Sequence, residues 1–161
     1  SGGNMERPGL KALLAEVALR GFERFAEALA AAWAGGRPDP LRAYEALGRA
    51  YLDFARREPA YYAAMFETRI AADAHPGLAA AGDRAFGVMR EATEALIARL
   101  PEGPRPPALM VALHVWSMSH GIASLFCRPD QSRRRLPMAP EDLLEAGLLI
   151  YLQSLGLAGG R

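Results

Sequence analysis

The sequence predicts an all-α domain of about six helices. Three observations carry this. Alanine occurs 32 times, whereas valine, isoleucine and threonine together supply only 10 residues. Apolar residues recur at three- and four-residue steps, and proline or glycine clusters interrupt them at helix-length intervals. Alanine is the best helix former, and β-branched residues are what sheets favour. A chain of 161 residues suits one domain and can bury a real core without covalent staples.

The first helix is expected from Pro8-Gly9 to about Ala34, where Gly35-Gly36-Arg37-Pro38-Asp39-Pro40 breaks it. Leu10, Leu14, Val17, Gly21, Phe22, Phe25, Leu29 and Ala32 form its apolar stripe. Asp39 can cap a second helix, with Pro40 at its first position. That helix carries Leu41, Tyr44, Leu47, Gly48, Tyr51, Phe54 and Ala55 on one face and stops near Glu58-Pro59. A third runs from Pro59 to about Ile70, and a fourth from Pro76 or Gly77 to about Leu100. The fourth turns Leu78, Phe86, Met89, Thr93, Leu96 and Ile97 inward. Four prolines between Pro101 and Pro107 exclude helix interior there. A fifth helix spans about Ala108 to Phe126. A sixth begins at Pro140-Glu141-Asp142, acids well placed for the helix dipole, and ends near Gly156. Residues 1–7 read as a tag remnant and disordered start, 8–157 as the domain, and 158–161 as a frayed tail.

Charge and chemistry narrow the function. The net charge of +1 gives no footprint for gripping nucleic acid and no polybasic membrane anchor. Arg133-Arg134-Arg135 reads as a solvated or acid-paired loop. One cysteine, Cys127, excludes a disulfide framework and fits a reducing, intracellular setting. His114 and His120 are six apart, about 120° around a helix, so they are not a metal pair. No nucleophile elbow, Cys–His pair or phosphate-cradling glycine loop is present. The expectation is therefore no enzyme, no catalytic residues, no metal and no cofactor. A small helical enzyme or ligand carrier is the alternative.

Residues 108–126 contain no Asp, Glu, Lys or Arg, and neither do residues 146–160. A helix apolar nearly all round is buried on more than one side. Nineteen such residues also reach membrane-spanning length, but three serines and two histidines interrupt them. A second copy of the same hairpin, closing a two-fold four-helix bundle, is the economical cover; one deep monomer core filled by these faces is the alternative. The expected interface comprises Ser117, Gly121, Ser124, Leu144, Gly147, Leu148, Tyr151 and Leu155. Aromatic and methionine residues on the second to fifth helices suit a mostly apolar ligand cavity. The expected ligand contacts are Tyr51, Phe54, Tyr62, Met65, Phe66, Phe86, Met89, Trp116 and His120.

Tyr51-Leu52-Asp53-Phe54-Ala55, followed by Glu58-Pro59-Ala60-Tyr61-Tyr62-Ala63-Ala64-Met65-Phe66, resembles a stretch found in tetracycline-repressor (TetR) family regulators. Trp116-Ser117-Met118-Ser119-His120-Gly121 resembles the Trp-x-x-x-His-Gly segment of one C-terminal domain type in that family. The opening helix, with Ala12-Leu13-Leu14-Ala15-Glu16-Val17-Ala18, is similar to the helix joining the family's DNA-reading head to its ligand domain. The resemblance implies a TetR-like C-terminal regulatory domain in a cytoplasmic, bacterial-type repressor, with a homodimer through the last two helices. It also implies a small apolar or amphipathic effector and no membrane. The family's helix-turn-helix head has no counterpart in this sequence, so DNA binding is implied only for a parent protein.

Overall fold

A computed structural model describes residues 9–128 and 135–158 of the chain. Six α-helices account for most of them: α1 Leu10–Trp33, α2 Pro40–Arg57, α3 Pro59–Phe66, α4 Leu78–Ile97, α5 Ala108–Phe126 and α6 Pro140–Ser154. There is no strand among the described residues. Residues 1–8, Arg133, Arg134 and 159–161 lie outside them, so the expectations placed there do too. Arg135 is exposed and Ala158 is buried.

The helix ends follow local chemistry. The Asp39 carboxylate accepts from the Arg42 amide at 3.4 Å, which caps α2 as its sequence predicts. α3 stops four residues short of the expected Ile70. There the Thr68 hydroxyl donates to the Ala64 carbonyl at 2.8 Å, so a side chain takes the place of the next helical amide. α6 closes with Gly156 at φ +76° and a Leu157 amide donating back to the Leu152 carbonyl at 2.8 Å. That pattern satisfies the last carbonyls and favours glycine at the left-handed position.

α1 packs on α2, α3 and α4; α5 packs on α2 and α4; α6 covers α2 and α5. The core therefore lies around α2, whose buried face holds Tyr44, Leu47, Gly48, Tyr51, Phe54 and Ala55. Gly48 permits the α2–α6 approach: a β-carbon there would meet Leu144 at 3.0 Å and Leu148 at 3.3 Å. On the α2–α4 side, Thr93 donates to the Met89 carbonyl and accepts from the Tyr44 phenol, both at 2.7 Å. Burial pushes the Tyr44 phenol up to about 12, so it stays protonated as that donor.

The stripe expected on α1 is corrected at its start. Leu10 is 73% exposed, and the buried positions there are Ala15 and Ala18. The satellite core formed by these alanines with Ala64 of α3 and Leu78 of α4 begins only at Ala15.

Candidate functional site

Seven of the nine expected ligand contacts fall into one aromatic cluster, built around a residue the expectation left out. Phe25 of α1 contacts Tyr51 at 4.9 Å, Phe54 at 4.8 Å and Trp116 at 5.7 Å between ring centroids. Phe86 meets Trp116 at 5.3 Å, and Phe66 meets His120 at 5.0 Å. Edge-on geometries dominate, as ring quadrupoles favour. Met89 is fully buried in the same core.

A polar chain runs through this apolar setting. The Tyr51 and Tyr62 hydroxyls lie 3.2 Å apart, and Tyr62 lies 2.7 Å from His120 Nδ1. Tyr51 is 3.3 Å from the same nitrogen, and Ser124 Oγ is 3.3 Å from Nε2. Burial drives both phenols up, Tyr62 to about 12 and Tyr51 well above its ordinary value. Burial also lowers His120. All three rings are therefore neutral at pH 7.

The proton order follows from satisfaction. Tyr51 is wholly buried and, among the described residues, has Tyr62 and His120 as its polar partners. Its hydrogen must go to one of them, because a buried unpaired donor costs about 1–3 kcal/mol. Tyr62 makes the shorter contact to Nδ1, 2.7 Å against 3.3 Å, so it is the better placed donor there, with Tyr51 donating to Tyr62 and the Nε2 hydrogen facing half-buried Ser124. This chain ties α2, α3 and α5 together at one point.

Of the nine expected contacts, Met65 lines a cavity. It is an opening of about 300 Å³ between α1, α3 and α4, walled by Ala18, Phe22, Ala64, Met65, Leu78 and Gly82. Phe22 reaches from its wall to the aromatic cluster, 5.5 Å edge-on from Phe66. Ala18, Ala64 and Gly82 escape sequence reasoning because alanine and glycine fill helices everywhere in this chain. Nothing in their spacing says which of them leave a void.

The outer face of α5 and α6 is apolar, but its residues differ from those expected. Leu109, Met110 and Leu113 on α5 are 43–46% exposed, and Ile150 on α6 is 70% exposed. Ser117 shares that exposure, while Gly121, Tyr151 and Leu155 are half-buried. Leu144 and Leu148 are corrected: at 2% exposure each, they point into this chain's own core against Gly48. Gly147 seats Met118 of α5, whose sulfur lies 2.8 Å from where a β-carbon would stand, so its contact is intramolecular. Ser124 turns toward His120. α6 needs one stripe to cover α2, and the one opposite Gly48 is Leu144 with Leu148. Tyr151 lies 2.6 Å from His114 Nδ1, a polar pair on the outer side of the α5–α6 contact. By length and composition α5 could cross a membrane, yet Val111, Ala112, Val115, Ser119, Ile122 and Ala123 are buried in the domain.

Residues 44–150 match a family described as tetracyclin repressor-like, C-terminal domain. A solved structure of a protein with unknown function from Rhodococcus sp. RHA1 is similar in fold, with a TM-score of 0.77 and 23% identity. The likeness covers 96% of this chain and 78% of that one. No curated protein matches the chain.

Proposed function

The chain belongs to the tetracycline-repressor-like C-terminal domain family, and from that membership we propose that it is the effector-binding and homodimerisation domain of a cytoplasmic DNA-binding regulator. The family supports a regulatory ligand-binding domain in general terms. The finer reading rests on one observation: the cavity is walled by α1 together with α3 and α4. In the parent protein α1 would lead to the DNA-reading head. An effector that fits better at one setting of α1 shifts the population toward that setting. By linkage, operator DNA weakens or strengthens the effector by the same factor.

Phe22 and Met65 line the cavity, and Phe66 passes the contact from Phe22 to His120 and Trp116 on α5. The Tyr51–Tyr62–His120 chain then serves as a stiff anchor for α5 rather than as a set of ligand contacts. A second copy covers the outer face of α5 and α6 and holds two heads at the spacing of one DNA turn, roughly 34–36 Å.

A thermal-shift screen of small apolar compounds tests the cavity. The protein should be stabilised by some of them, because a ligand that binds only the folded state raises its stability. The Ala64→Leu variant, with its void filled, should lose that response while keeping its own melting transition. Equal responses in both proteins would show that binding occurs elsewhere.

A further inference from the structure

The cavity between α1, α3 and α4 carries one charged side chain, Asp83 of α4. Its carboxylate takes part in no ion pair or hydrogen bond among the described residues. The neighbouring Arg84 lies 3.7 Å from Glu23 of α1, so its positive charge is engaged there. Next to Asp83 stands Gly82, where a β-carbon would lie 3.9 Å from the Phe22 ring. Phe22 and Asp83 both line the cavity. An apolar pocket lined by an unpaired carboxylate and a phenylalanine ring favours positive charge, through Coulomb attraction and, where the ring face is reached, a cation–π contact.

We infer that the effector is a small apolar cation, an alkyl or aryl ammonium whose carbon body fills the cavity between Ala64, Met65 and Leu78 while its charge sits between Asp83 and Phe22. This inference rests on the cavity being the effector site. A volume of about 300 Å³ suits a body of one ring and a short chain. An anionic ligand of the same size would meet an unpaired carboxylate and no cation.

Three probes of matched size decide it: phenethylammonium, 2-phenylethanol and phenylacetate, titrated into the intact chain and followed by the Met65 methyl signal in NMR. The cation should bind about tenfold more tightly than the alcohol, the sum of an exposed ion pair and one cation–π contact, and phenylacetate should bind most weakly. Asp83→Asn should cut the cation's affinity by roughly threefold to fivefold and leave the alcohol unchanged. Asp83 is exposed, so this variant keeps its fold. Equal binding of cation and alcohol, or indifference to Asp83→Asn, would overturn the ligand class while leaving the cavity in place. Ala79→Phe, at an exposed position on the rim, should weaken all three probes together. If it does not, or if no probe shifts Met65, the cavity reading itself fails and takes the inference with it.

Discussion

His120 accepts the Tyr62 hydrogen at a part-buried site, so its removal has a definite signature. His120→Ala also removes ring contacts to Tyr62 and Phe66 and should destabilise the domain by about 2–4 kcal/mol in urea denaturation. Tyr62→Phe should cost less, about 1–2 kcal/mol, because Tyr51 already lies 3.3 Å from Nδ1 and can take over the donation. A ranking in which Tyr62→Phe exceeds His120→Ala would contradict the proton order. The same histidine carries a pH dependence. Burial lowers its folded pKa below the ordinary 6.5, so the unfolded chain binds more protons than the folded one. Its contribution is complete above the unfolded value and drains away as pH falls through 6.5 toward the folded value. Stability should therefore decline as pH falls from about 7 through 6.5, and His120→Gln should flatten that decline. An unchanged slope in the variant would place the titrating group elsewhere.

Helix contacts turn on a few glycines, and two of them make opposite predictions. A β-carbon on Gly21 would meet the Met65 sulfur at 2.7 Å, its Cγ at 2.9 Å and Tyr61 at 3.3 Å. Met65 is 8% exposed and held between α1 and the cavity. Gly21→Ala should cost about 1–2 kcal/mol of stability, since overpacking outweighs the gain in helix propensity. Gly87 in α4 has nothing within 4 Å of a built β-carbon, so Gly87→Ala should stabilise by up to about 1 kcal/mol. Denaturant midpoints of the two variants check both signs. The helices themselves were legible because Asp39-Pro40, Glu58-Pro59 and Pro140 mark starts that no other reading of those residues accommodates. α5 coincides with its expected span. The inner faces were less legible where two apolar stripes share one helix. On α6, Leu144 and Leu148 versus Leu149 and Ile150 is a choice made by the partner helix, here Gly48 of α2, and periodicity within α6 is blind to it. Phe25 was visible as a buried position but not as the centre of the aromatic cluster, because that role depends on three other helices. Asp83 gave no signal in the sequence, being one acid among many on exposed helix faces.

At the scale of the whole molecule, family membership and the outer surface point the same way. Leu109, Met110 and Leu113 on α5 and Leu149 and Ile150 on α6 are each at least 39% exposed. A contiguous apolar surface on a monomer marks an interaction site. A two-fold partner would present the same residues in return, and the His114–Tyr151 pair would then be enclosed beside them. Placing a glutamate at the most exposed of these positions, Ile150, introduces two like charges across such an axis, at the cost of desolvating both. The substitution leaves the chain's own core untouched, since Ile150 is 70% exposed. Sedimentation equilibrium at micromolar concentration should return twice the 17.4 kDa of a single chain for the unmodified protein. It should return one chain for Ile150→Glu, with the helical circular-dichroism spectrum retained. A single-chain mass for the unmodified protein, with this surface left to solvent, would contradict the account.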